Sequence, residues 1–239
     1  MRSIVYAGHD FSRHCSAEVV ARAANTVVAE ALAIPGRAGA RLVAGYVPPF
    51  DVTVALFMDV GFAADVVELA EIRHTLAHWL CVPGGGELVL PDEPEHRYRD
   101  ALLVDVTNWT GLFSDGRCEA TFTLFDPIAY GAERVEREGS FEVGGTWDTL
   151  PRFELTAAAG DAVAVTHVAS GRTVRVEHPF DGGESVLIDC ADESVTIDGS
   201  DARARVALGT DFFALKPGGC ELRFSGCQAL VTRFCERWA

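Results

Sequence analysis

The sequence predicts a mainly β chain: an α+β N-terminal segment with strands and one helix, then an antiparallel β-sandwich. Two observations predict it. The stretch "FAADVVELAEIRHTLAHWLCVPGGG" carries apolar residues at helical spacing, whereas the segment from about 141 to the end carries only short alternating runs between turn signals. That change of pattern divides the chain into residues 1–140 and 141–239.

The first segment opens on "MRSIVYAGHDFSRHC", which lacks the long apolar centre and small-residue cleavage site of a signal peptide. "LAIPGRAGARL", Leu32 to Leu42, follows, a proline and glycine-rich stretch between runs of Val, Ala and Leu. "PGRAG" has no lysine and no helix after it, so it is no phosphate loop, and five residues are too few for a linker inside a domain. It reads as a turn before the strand "RLVAGYV", its glycines supplying backbone angles that other residues resist.

In the helix, Phe62, Val66, Leu69, Ile72, Leu76, Trp79 and Leu80 fall in steps of three and four and make a core-facing stripe. Asp65 with Glu68 resembles a capping box, and Pro83 with the glycines beyond it ends the element. On the opposite face Glu71, His74 and His78 come together, the sharpest chemical cluster of the chain and the basis for a metal-hydrolase reading. Thr75 stands where the catalytic Glu of an HExxH motif would be, so the cluster reads as a solvated face and no metal site is assigned.

"VPGGGELVL", Val82 to Leu90, leads into a strand-like run and fails both the Walker and the dinucleotide patterns. No serine sits in a GxSxG elbow, and "PDEPEH", Pro91 to His96, offers carboxylates without an obvious partner. No catalytic and no cofactor-binding residue is assigned. Next, "RYRDALLVDVTNWTG" alternates around Tyr98, Ala101, Leu103 and Val104. "GRCEATFTLFDP" places Cys118, Ala120, Phe122 and Leu124 on one face, with "FSDG" (Phe113 to Gly116) as the hairpin turn between the two strands.

The second segment reads as the strands "RFELTA", "AVAVTHV", "RTVRVEH", "ESVLIDC", "SVTIDG", "ARVAL", "DFFALK", "CELRFSG" and "LVTRFCERW", punctuated at nearly regular spacing. Many short strands with such punctuation specify an antiparallel sandwich.

Composition excludes several classes. The net charge of −15 disfavours a surface built to hold nucleic acid. The seven cysteines are scattered and include no CxxC pair, which argues for reduced, mostly buried thiols rather than a disulfide framework or a zinc site. No window approaches the roughly 20 apolar residues needed to span a bilayer.

In order, "PGRAG", "RLVAGYV", the helix closing on "LAHWL", the glycine loop, "RYRDALLVDV" and "CEATFTLFDPIAYG" resemble the N-terminal domain of the distal tail proteins of siphoviruses, phages with long non-contractile tails. The closing "TLFDPIAYG", Thr123 to Gly131, matches well, while Ala38 stands where that family often carries a polar residue. "FEVGGTWDTLPRFEL" is similar to the family's domain junction, and "FFALKPGGCELRFSG" to its C-terminal galectin-like jelly roll. The resemblance implies a phage or prophage virion structural protein, assembled in the host cytoplasm and located in the tail. It implies a homohexameric ring of N-terminal domains joining the tail tube protein to a tail-associated lysin or receptor-binding tip, with DNA passing through the ring unrecognised. It implies no enzymatic activity, cofactor or membrane. A galectin-like fold also raises the alternative of a carbohydrate-binding module. That sugar site needs a His-x-Asn-x-Arg run and a tryptophan, and "EHPFDGG", Trp147 and Trp238 do not supply it.

Overall fold

The computed structural model describes residues 2–59 and 65–239. The chain divides into two units, one ending at Ala129 and one running from Tyr130 to Trp238. The division falls before the 140/141 change of pattern because a strand at 129–136 is a member of the sandwich.

The first unit contains β1 (Val5–Tyr6), β2 (His9–Asp10), β3 (Ser16–Arg22), β4 (Val28–Ala33), β5 (Ala40–Tyr46) and β6 (Phe50–Phe57). It continues with α1 (Val66–Leu80), β7 (Gly86–Val89), β8 (Tyr98–Thr107), the one-turn α2 (Gly111–Ser114) and β9 (Arg117–Leu124). Seven of these strands form one antiparallel sheet in the order β2-β1-β7-β8-β9-β6-β3. The alternation read in β9 is the observed one: Cys118, Ala120, Phe122 and Leu124 are buried. On neighbouring strands Val52, Val54, Leu56, Tyr6 and Leu88 complete that core, and the Tyr6 and Phe122 rings meet edge to face at 5.0 Å. Strand β8 alternates less cleanly because the register shifts between Leu103 and Asp105, which leaves Val104 in solvent.

Helix α1 starts as its sequence predicts. The Asp65 carboxylate accepts from the Val67 and Glu68 amides, both at 2.9 Å. Ile72, Leu76 and Leu80 are buried, and Trp79 stacks on His9 at 5.1 Å and meets Phe11 edge-on at 5.4 Å. Two members of the expected stripe differ: Val66 is 83% exposed, being in the first turn, and Phe62 lies outside the described residues. The expected hairpin turn "FSDG" is instead α2, closed by the Asp115 amide on the Gly111 carbonyl at 2.7 Å, with Gly116 alone at positive φ. "PDEPEH" also has a partner after all. Arg22 on β3 binds both Asp92 and Glu93, and the Tyr98 hydroxyl donates to Glu93 at 3.2 Å.

The second unit contains β10 (Ala129–Glu136), β11 (Ser140–Val143), β12 (Arg152–Ala157), β13 (Gly160–His167) and β14 (Thr173–Phe180). It is completed by β15 (Ser185–Asp189), β16 (Ser194–Ile197), β17 (Ser200–Asp201), β18 (Gly218–Ser225) and β19 (Cys227–Trp238). A six-stranded sheet, β10-β19-β12-β15-β16-β17, and a four-stranded sheet, β11-β18-β13-β14, enclose one core that includes Phe153, Val165, Val176, Ile188 and Phe213. "ARVAL" is not a strand: it overlaps a 3-10 turn at Arg203–Arg205, before which the Asp201 carboxylate accepts from the Arg203 amide at 3.1 Å. "DFFALK" contributes only a bridge, Leu215 to Thr149. All seven cysteines are free; Cys15, Cys118, Cys190 and Cys220 are buried, and burial pushes the Cys15 thiol up to about 12.

Glu236 ties the N-terminal strands of the sandwich to β19. Its carboxylate accepts from Arg134 at 2.6 Å and from the Gly144 amide at 2.9 Å. A side chain on residue 144 would meet that carboxylate at 2.7 Å, which accounts for the glycine. Two predictions follow from this arrangement. A fragment beginning at Ala129 folds alone, whereas one beginning at 145 lacks β10 and β11 and gives a poorly dispersed amide NMR spectrum. The second concerns pH. Arg134 holds the Glu236 carboxyl below the usual carboxylate range, with a smaller contribution from Gly144 against the opposing effect of burial. A depressed carboxylate stabilises fully above its unfolded value of about 4.3 and loses that contribution as pH falls through the folded value. Glu236→Gln therefore lowers stability by about 1 kcal/mol at pH 7, and its unfolding midpoint converges on that of the parent below about pH 4. Parallel melting curves from pH 7 to 3 would contradict the assignment.

Candidate assembly surface

Strands β4 and β5 form a sheet of their own, paired from Val28↔Tyr46 to Ala33↔Ala40. Neither pairs with the seven-stranded sheet, and every residue of both strands is exposed. The turn "PGRAG" is the tip of this hairpin. Gly36 and Gly39 have φ of +80° and +81°, so the backbone angles expected of the turn are present. The tip closes through the Arg37 amide on the Ile34 carbonyl at 3.1 Å. Leu32–Ala33 and Ala40–Leu42 are strand, so the irregular stretch is shorter than its composition suggests.

An isolated two-stranded hairpin is marginally stable in water, and this one is apolar. Val27, Val28, Leu32, Ile34, Leu42, Val43 and Tyr46 are between 36% and 68% exposed. Single exposed apolar residues are ordinary, but a contiguous set on a projecting element marks an interaction surface. The outer backbone edges of β4 and β5 are unpaired as well, which offers a strand-addition edge to a partner. The hairpin from Val27 to Tyr46 carries Glu30 against Arg37 and Arg41, a net +1 in a chain of −15. Elsewhere in the first unit Ala77, Leu80, Val82, Leu103, Val106 and Trp109 line an apolar groove beside the end of α1.

The chemical cluster read from the sequence is placed differently. Glu71, His74 and His78 are exposed on α1, and among the described residues no three His, Cys, Asp or Glu side chains are arranged to hold a metal. The His78 ring lies 6.4 Å from that of His9. In the second unit Trp147 is partly exposed and His178 packs edge-on to Phe180 at 5.0 Å. No helix among the described residues is long and apolar enough to cross a membrane. The exposure of the hairpin is what sequence reasoning missed. "VVAEALA" has the continuous apolar composition of a buried strand, so nothing in the run itself announces its exposure.

Residues 144–238 match the family described as Siphovirus-type tail component, C-terminal domain. The whole chain is similar in fold to the crystal structure of the Dit protein of phage SPP1, described as a paradigm of hub adsorption apparatus in phages infecting Gram-positive bacteria. The TM-score is 0.78 at 18% identity, over 99% of this chain and 98% of that one. A chain of the phage P2 baseplate, activated with Ca, aligns at 10% identity over 92% of this chain and 90% of that one, with a TM-score of 0.46. No curated protein sequence matches the chain. The family match and the fold both agree with the distal tail resemblance carried by the sequence motifs.

Because the hairpin contributes nothing to either core, Leu32→Ser with Leu42→Ser leaves the unfolding free energy of the dilute chain unchanged to within about 0.5 kcal/mol. Phe122→Ala, at the centre of the sheet, costs about 3–5 kcal/mol in the same denaturant titration. A loss above 2 kcal/mol from the double serine variant would place the hairpin in the core.

Proposed function

We propose that this chain is a structural protein of a phage tail, the distal hub of a siphovirus-like particle or of a prophage. The observation that carries the reading is the match of residues 144–238 to a siphovirus tail component, on a chain whose whole fold is that of a tail hub protein. The exposed hairpin supports it from the physical side, since an apolar projecting element suits a part that is covered by other copies. In this reading the first units of six copies close into a ring. One side of the ring receives the tail tube protein and the other a tail-associated lysin or receptor-binding tip. The role is mechanical and non-enzymatic, requires no cofactor, and lets DNA pass without specific binding, consistent with the chain's −15 charge.

Negative-stain imaging of the purified chain tests this directly. Closed rings are expected at micromolar concentration, and Leu32→Ser with Leu42→Ser abolishes them while the dilute fold persists. A monodisperse monomer at tens of micromolar by sedimentation velocity would overturn the self-assembling reading.

A further inference from the structure

We propose that the second unit holds a pocket for a small anion that also bears hydroxyl groups, of the sugar-phosphate or sugar-acid kind. It is formed by Asp148, His167, Ser170, Arg172, Phe213 and Lys216. The site is independent of the hub reading.

The first argument is charge. In the second unit Arg134, Arg152, Arg175, Arg203, Arg223 and Arg233 lie within ion-pair distance of a carboxylate. Arg172 and Lys216, the only lysine of the chain, border one pocket from two different segments. Two cations at a concave surface focus a positive potential there against the net charge of the whole. An anion placed between them gains from both and displaces no internal partner.

The second argument is the frame. Lys216 and Asp148 flank Leu215 and Thr149, whose backbones exchange two hydrogen bonds at 2.7 and 2.8 Å. Arg172 ends a turn closed by the His167 amide on the Arg172 carbonyl and the Gly171 amide on the His167 carbonyl, both 2.9 Å. The charged groups thus sit on fixed backbone, although their side chains reach into solvent. The inner wall is ordered too. His167 is only 7% exposed, its ring lies over Phe213 at 5.5 Å and 20°, and its Nδ1 is 2.8 Å from the Ser170 hydroxyl. Burial holds His167 toward its neutral form, so it lines the inner wall as an uncharged ring and not as a third cation.

Asp148 sets the class of ligand. A carboxylate at the rim repels a second negative charge but accepts hydrogen bonds from hydroxyls. Asp148 faces Lys216 across the antiparallel Thr149–Leu215 pair, so the pocket selects a molecule with a single anionic group toward Arg172 and Lys216 and hydroxyls close beside it for Asp148.

Calorimetric titration of the full chain tests the assignment with glycerol 3-phosphate and glucuronate as the two anionic arms, and with glycerol and inorganic phosphate as half-ligands. Saturable binding of either anionic arm is expected, at least tenfold tighter than either half-ligand and at least tenfold weaker in Arg172→Gln/Lys216→Gln. Both substituted side chains are exposed, so the melting temperature stays within a degree or two of the parent. Which arm binds tells phosphate from carboxylate. Inorganic phosphate binding as tightly as glycerol 3-phosphate, equal binding by the double variant, or no saturation by either arm would each overturn the proposal.

Discussion

A β-strand needs its backbone edge paired and at least one face covered, and the hairpin β4–β5 meets the first need only between its own two strands. Its side chains find no core, yet they are Val, Leu, Ile and Tyr rather than the Lys, Glu and Pro that protect a solvent-facing edge. A chain with such an element is incomplete as a monomer in a defined physical sense. Burying one large aliphatic side chain is worth about 1.5–3 kcal/mol, so a handful of them outweighs the rotamer entropy lost on contact. The remaining structure can be understood as a scaffold that keeps this element presented without aggregating through its other surfaces.

The scaffold itself is conventional in its energetics. Strand β9 is hydrogen-bonded on both sides, to β6 and β8, and its buried face is fixed by strict alternation, so its register cannot slip without turning Phe122 and Leu124 into water. The Arg22 contacts with Asp92 and Glu93 join β3, an edge strand, to the loop after β7. In the sandwich, the Glu236 contacts perform the same task for the first strands. Both of these ties sit at strands on the edge of a sheet, which have a backbone partner on one side only.

Much of this was legible in the sequence because period-two and period-3.6 patterns report burial directly. Residues 118–124 and 66–80 are read correctly for that reason, as are most strands of the second unit and the glycine-bearing turns between them. What was not legible depends on partners distant in sequence. Arg22 and Glu93 are 71 residues apart, so "PDEPEH" looked unpartnered. Strand β10 belongs to the sandwich only because it pairs with β19, which no local pattern announces. The pocket at His167 joins residues from 148, 167–172 and 213–216, none of which forms a motif alone. The hairpin's exposure has a different reason: apolar runs imply a covered face, but not whether the covering surface is in the same chain.

In the proposed ring, acidic copies would have to come together, and the question is which force decides. Subtracting the hairpin's +1 from −15 leaves −16 on the rest of each copy, so copies repel through most of their surface. That repulsion acts through water and is screened beyond about 8 Å at physiological salt. The hairpin differs from the rest of the surface: Arg37 and Arg41 lie at or beside its tip, and Glu30 on β4 is its one acid. Charge therefore favours tip-to-body approach and disfavours body-to-body approach, which gives the contact direction, while the apolar residues supply its strength. Raising salt would weaken both the repulsion and the steering, but not the apolar burial. In the proposed ring the hairpin would thereby make association geometrically selective where uniform hydrophobicity would only make it sticky.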